Sequence, residues 1–138
     1  MPLIGSSEYP QIRAALSVSL SATTLPDATI ALDVYAGEAQ RWVLAAVPGA
    51  ESLSGAELAT AKRAAVFHAA YLLAPAMPNI TAQEMDGLSA SQKARDWEQH
   101  AATLLGRAQA ALGSLVEDAA AVTRPTLFTL AAGGRGRL

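Results

Sequence analysis

The pattern of apolar and polar positions along the chain predicts four helical segments. The first, residues 9–16, is short and has Pro10 in its first turn, where a missing N–H breaks no helical hydrogen bond. The alternation over residues 16–21 is typical of a strand, but six residues with no evident partner strand favour an extended connector.

The second segment, within residues 25–49, is interpreted as one long helix. Thr24 and Asp27 have the spacing of a capping box, and Pro48 with Gly49 ends the helix. Its apolar residues recur at helical spacing, which predicts that this face is buried. They are Ile30, Val34, Tyr35, Ala39, Trp42, Val43 and Ala46.

The third helix is predicted to begin after Ser54 and to end just before Pro75. Within residues 64–77 only His68 is markedly polar, and a helix that is apolar all round must be covered on more than one side. Because four short helices have little apolar surface with which to cover the third helix, neighbouring copies of the chain are expected to cover part of it. The predicted subunit interface consists of Phe67, Tyr71 and Leu72.

A long polar connection, residues 75–89, separates the third helix from the fourth. Ser89 and Gln92 have capping-box spacing and predict where the fourth helix begins. Its apolar face comprises Trp97, Ala101, Leu104, Ala108, Ala111, Leu112 and Leu115. Together with Val34 and Trp42, these residues are expected to form the core of one subunit.

The character of the sequence changes after about residue 120. Arg124 precedes Pro125, and a residue before proline favours extended backbone. Thr126, Phe128 and Leu130 would share one strand face, with Leu127 and Thr129 on the other. The pattern predicts a helical domain, residues 1–120, and an extended C-terminal docking arm, residues 121–138. The arm's unpaired backbone groups would suit addition to another protein's sheet.

Composition narrows the class of protein. Hydrophobic residues make up 51% of the chain and aromatic residues only 5%, so alanine supplies much of the apolar content and slim, closely packed helices are expected. The net charge of −2 argues against a general polyanion binder. The chain has no cysteine, no signal-peptide pattern and no apolar run long enough to span a bilayer, which favours a soluble protein of a reducing compartment, without a membrane partner.

No constellation of catalytic, metal-binding or cofactor-binding residues is predicted. His68 and His100 lie on different helices without a third ligand at metal-site spacing. His68 could act as a base beside Tyr71, but a histidine in a core or an interface is the commoner case. Trp42 and Trp97 could stack on a ligand, yet at helical spacing they are more often core residues.

The order and spacing of several motifs resemble a family of head–tail connector proteins of tailed bacteriophages. Leu25-Pro26-Asp27 opens a helix, Asp33-x-Tyr35-x-Gly37 and Trp42 follow, and Val47-Pro48-Gly49-Ala50 ends it. An alanine-rich helix then ends at Pro75-Ala76-Met77-Pro78, and a last helix that opens near Ser91 contains Asp96-Trp97-Glu98. The resemblance covers about residues 12–115. Within this range the sequence departs from the family pattern in the serine-rich connector, residues 17–24.

The resemblance implies an all-α adaptor without enzyme activity or a cofactor, assembled in the host cytoplasm and located in the neck of the virion. Such proteins form a ring, usually twelvefold, beneath the portal, extend the DNA channel and provide a docking surface for the next neck or tail protein. It also suggests the portal's lower rim as the partner of the arm, with Arg135 and Arg137 meeting acidic residues or DNA.

Two alternatives to an assembly protein remain. A small helical nucleic-acid-binding or regulatory protein of a phage or prophage would require a basic recognition helix, which no segment provides. An enzyme would require convergent polar residues. In a connector, contact with passing duplex DNA is expected to be weak and sequence-independent, so acidic side chains should face the lumen or solvent. Candidates are Glu38, Glu51, Glu84, Asp86 and Asp96.

Overall fold

The chain folds as a small all-α bundle, as predicted. A computed structural model describes residues 2–17, 20–78 and 97–134, with side chains described as far as Val116. Its α-helices are α1 (Tyr9–Leu16), α2 (Asp27–Ile30), α3 (Glu38–Ala46), α4 (Gly55–Leu73) and α5 (Trp97–Gly134). A π-helical turn (Asp33–Gly37) leads into α3, and short 3-10 turns (Ala50–Ser52 and Ala74–Ala76) flank α4. These described ranges contain no strand, and none of their helices has the length and apolarity to cross a membrane.

Helices α1 and α4 occupy the predicted ranges, but no side chain caps the start of α4, and the capping box predicted at Thr24 and Asp27 is not formed. Ser54 is the N-cap of α4, yet its side chain makes no capping hydrogen bond. At α2 the N-cap is Pro26, which has no side-chain donor or acceptor, and the Thr24 hydroxyl lies 3.4 Å from the Ser21 hydroxyl instead. The sequence pattern therefore marks where these helices begin without describing how they are capped.

The single long helix predicted for the second segment is wrong. Leu32 has extended backbone (φ −57°, ψ 145°), which separates α2 from the π turn and α3. A π turn closes i→i+5 hydrogen bonds and contains more residues than an α-turn, so the positions on either side of it no longer share a face. As a consequence Val34 is 62% exposed, whereas the prediction placed it in the core. Ala46 is also exposed.

Helix α4 is the centre of the bundle, and α1, α3 and α5 all pack against it. Its alanine side chains are short enough for three helices to approach closely, so one chain covers most of its apolar surface. Phe67, Tyr71 and Leu72 are half-buried. One chain therefore covers the buried positions of this helix, and the subunit interface expected at Phe67, Tyr71 and Leu72 stays a prediction. The buried positions of α4 are Ala61, Ala64, Ala65, Val66, His68, Ala69, Ala70 and Leu73.

The predicted apolar face of α5 is confirmed, with one partial exception. Leu104 and Ala108 are fully buried and Leu115 nearly so, while Leu112 is only half-buried. The start that was predicted at Ser89 lies outside the described residues, as do residues 18 and 19 of the connector. Ser17 has extended backbone.

The extended arm predicted from residue 121 is wrong for residues 121–134, whose backbone continues α5. An isolated strand leaves its backbone N–H and C=O groups unpaired, whereas a helix pairs them within itself. Three alanines, residues 119–121, precede Pro125, Ala131 and Ala132 follow it, and alanine favours helix. Pro125 lies within the helix although it cannot donate a hydrogen bond. Residues 135–138 lie outside the described residues.

Polar side chains fasten the N-terminal region to the bundle. The Gln40 side-chain oxygen accepts hydrogen bonds from the backbone N–H groups of Leu3 (2.8 Å) and Ile4 (3.3 Å). The buried Arg13 donates from Nε to the Leu25 carbonyl (2.7 Å), and its guanidinium pairs with the Asp27 carboxylate. These bonds fix the start of α2, and with it the position of the π turn that follows.

Candidate functional site

One side of α4 is closed by an aromatic stack on His68. The Trp42 ring of α3 lies parallel to the imidazole (5° between planes) at a centroid distance of 4.2 Å. Tyr71 packs against the same imidazole at 5.4 Å. His68 is buried, and its Nδ1 has no hydrogen-bond partner among the described residues.

Burial lowers the pKa of His68 to about 4, although the nearby Glu38 carboxylate favours the protonated form. The imidazole is therefore neutral at pH 7 and a weaker base than an exposed histidine. The alternative in which His68 acts as a base required Tyr71 to lie beside it. The two rings are in contact. The stack serves to fasten α3 to α4.

His100 connects two helices in a different part of the bundle. Its Nε2 lies 2.9 Å from the Ala15 carbonyl oxygen, so that α5 is attached to α1, and the Trp97 ring meets its imidazole edge-on at 5.9 Å. The two histidines thus have separate structural contacts. Where the structure describes the chain, no three His, Asp or Glu side chains converge as a metal site would require.

The π turn carries an exposed apolar pair. Leu32 is 51% exposed and Val34 is 62% exposed, and Asp33 lies between them. We call these three residues the Leu32–Val34 knob. Arg41 fixes its shape by donating hydrogen bonds to both Asp33 carboxylate oxygens (2.9 and 3.1 Å) and to Glu38 (2.9 Å).

The guanidinium of Arg41 holds the pKa of Asp33 below its ordinary value, so the carboxylate is charged at pH 7. Gly37 permits this arrangement because a Cβ at its position would collide with the Asp33 carboxylate. Asp33 and Glu38 share the single guanidinium of Arg41, so the knob together with these two neighbouring side chains carries one excess negative charge.

An open groove of about 460 Å³ lies between α1 and α4. Its lining is largely apolar, with Gln11, Ala14 and Ala15 from α1 and Ala59, Arg63, Val66 and Phe67 from α4. The Arg107 guanidinium of α5 lies 5.8 Å from the centre of the Phe67 ring. Neither Arg63 nor Arg107 forms an ion pair within the described part of the chain. We call this site the α1–α4 groove.

The structure does not gather the predicted interface residues into one patch. Phe67 lines the α1–α4 groove, and Tyr71, one turn later on the same face of α4, packs on His68. Leu72 is five residues after Phe67, which places it about 140° away around the helix. The predicted interface is therefore divided between different sides of α4.

The predicted partner-binding residues at the C-terminus are only partly described. Arg124, Pro125, Thr126, Leu127, Phe128 and Leu130 lie on the backbone of α5, and Arg135 and Arg137 lie outside the described residues. Of the predicted acidic surface, Glu38 and Glu51 are exposed, and Glu84, Asp86 and Asp96 lie outside the described residues.

Sequence reasoning missed the knob and both arginines of the groove. Gly37 within a supposed helix was a signal of irregular backbone, since glycine is unfavourable in a helix interior. For Arg63 and Arg107 there was no comparable signal, because their proximity depends on how α4 and α5 pack.

Comparison with protein-family models, with curated proteins and with solved structures finds no match to this chain. The functional argument therefore depends on its own residues.

Proposed function

We propose that this chain is a structural virion protein, a head–tail connector that forms a ring below the portal, extends the DNA channel and provides the docking surface for the next neck or tail protein. The observation that carries the proposal is the succession of helix ends. Helix α2 begins at Asp27, helix α3 ends at Ala46, shortly before Pro48, and helix α4 ends at Leu73, shortly before Pro75. These are the points at which the motifs of the resemblance fall.

The exposed acidic residues are consistent with a channel through which DNA must slide. Glu38 and Glu51 lie at the surface, where carboxylates repel phosphate and keep contact with the duplex weak. Tight, sequence-selective binding of duplex DNA at physiological salt would instead favour the regulatory alternative.

The C-terminal residues 123–138 are proposed to contact the portal. Because α5 continues to Gly134, the contact would be made by a helix against a groove for residues 123–134, rather than by a strand added to a sheet. Arg135 and Arg137 would follow this helix and meet acidic residues or DNA.

Two truncations test this assignment. A chain ending at Val122 keeps every buried position of α5 up to Leu115, so the bundle should remain folded while attachment to portal-bearing heads is lost. A chain ending at Gly134 is the matched control that removes only the basic end. Occupancy on purified heads, measured beside thermal unfolding, gives the result.

The outcomes separate the parts of the proposal. Normal occupancy of the Val122 truncation would show that the C-terminal residues are not the portal contact. The portal on these heads should be encoded in the same genome as the chain. If the folded, full-length chain does not bind to such heads, the connector function itself is contradicted.

A further inference from the structure

The knob and the groove are separate surfaces of the bundle. Ala59 in the groove and His68 under the aromatic stack are nine residues apart, which is about two and a half helical turns. The π turn packs against α4 and leads directly into α3, whose Trp42 covers His68. The knob therefore belongs to the segment that leads into α3, whereas the groove lies between α1 and α4.

The two surfaces are chemically complementary. The knob presents two exposed aliphatic side chains, Leu32 and Val34, with one excess negative charge from Asp33, Glu38 and Arg41. The groove presents an apolar floor of alanine, Val66 and Phe67, beside the guanidinium groups of Arg63 and Arg107. Aliphatic side chains would displace water from the floor, and the two arginines would face the acidic rim.

We propose that the Leu32–Val34 knob of one copy inserts into the α1–α4 groove of the next copy. Since the two surfaces are formed by different residues, every bound pair leaves one knob and one groove free for further copies. A contact of this kind closes into a ring when the rotation between copies permits it. The inference rests on the proposed connector function and assigns the contact between neighbours in its ring.

Cysteine cross-linking of the purified full-length chain tests this contact, because the natural sequence contains no cysteine. Val34→Cys and Ala59→Cys alter exposed positions of the knob and the groove. When the two single variants are mixed and oxidised, a dimer containing one copy of each should form, at a yield about tenfold above that of a control pair. A disulfide requires Cα atoms within about 7 Å, so the yield reports close contact.

The control pair is Val34→Cys with Ala45→Cys, an exposed position on α3 outside the groove. A chain carrying both Val34→Cys and Ala59→Cys should give, after oxidation, a series of cross-linked oligomers. The number of copies in the largest oligomer should grow with protein concentration. Adding Arg63→Glu to the Ala59→Cys chain should reduce the mixed dimer about tenfold, since it places a carboxylate opposite the acidic knob. Thermal unfolding verifies that each variant is folded.

A yield from the knob–groove pair no higher than that of the control pair, for folded variants at any concentration, would overturn the proposal. The test uses no portal, so it is independent of head attachment. A chain that joins heads without this cross-link would contradict only the knob–groove contact. A chain that forms the cross-linked oligomers but never joins heads would contradict the connector function and leave the contact in place.

Discussion

The two sides of α4 differ in how they are covered, although both are rich in alanine. On one side the Trp42 ring closes over His68, and no charged residue takes part in the stack. On the other side α1 leaves a groove of about 460 Å³, and two arginines stand at its edge without an ion pair in the described residues. The helices packed against α4 therefore determine the role of each side: α3 closes the side that stabilises the fold, and α1 leaves open the side that is free to bind.

The largest expected effect on stability is at a position where the bundle is completely closed to solvent. Leu104 of α5 is fully buried, so Leu104→Ala should lower the free energy of unfolding by about 2–5 kcal/mol, through lost apolar contact and the cavity left behind. Gln109→Ala, at an exposed position of the same helix, is the control. Urea denaturation measures both, and a loss below about 0.5 kcal/mol for Leu104→Ala would mean that α5 packs through another face.

The closed side should make stability depend on pH through His68. Its pKa is about 4 in the folded chain, against an ordinary value of 6.5, so between these pH values the unfolded state binds more protons than the folded state. The free energy of unfolding should therefore fall as the pH is lowered from about 6.5 to about 4, by about 2–3 kcal/mol from this group.

The variant His68→Phe isolates this contribution, because it preserves an aromatic ring beside Trp42 and removes the titrating nitrogen. The other titrating groups are the same in both proteins, so the difference between their pH profiles is the quantity to measure. At pH 7 the variant should be within about 1 kcal/mol of the natural chain, since it also removes the unpaired Nδ1. Parallel profiles would show that His68 is not protected from water as described.

The open side should contribute little to stability. Arg63 is exposed and makes no ion pair in the described part of the chain, so Arg63→Ser should change the free energy of unfolding by less than about 0.5 kcal/mol. The same substitution should weaken association between copies, measured by sedimentation across protein concentrations. A large loss of stability would identify Arg63 as part of the fold, and the groove could then not be regarded as a free binding surface.

Periodicity predicted the all-α class, the bounds of α1 and α4, and the buried face of α5. These features depend on local propensity and on one apolar face at a time. Gly49 and Pro75 also marked helix ends correctly, because their backbone preferences act locally.

The errors have a different origin. The break at Leu32 and the π turn arise where Arg13 fixes the start of α2 and Arg41 fixes the turn. These side-chain contacts span 12 and eight residues, and the periodicity of apolar positions does not report them. The extended arm was inferred from β-prone residues and Pro125, yet with no strand to pair with, the backbone of residues 121–134 is helical. The groove follows from packing between α1 and α4, which periodicity within one helix does not specify.

An electron-microscopy reconstruction of portal-bearing heads incubated with the purified chain tests the central claim most directly. The portal should be encoded in the same genome, and the reconstruction should use the symmetry found in the data. The account predicts a closed ring of copies beneath the portal, with residues 32–34 of each copy in the α1–α4 groove of its neighbour and residues 123–138 against the portal. Heads without such a ring, while the added protein is folded and in excess, would contradict it.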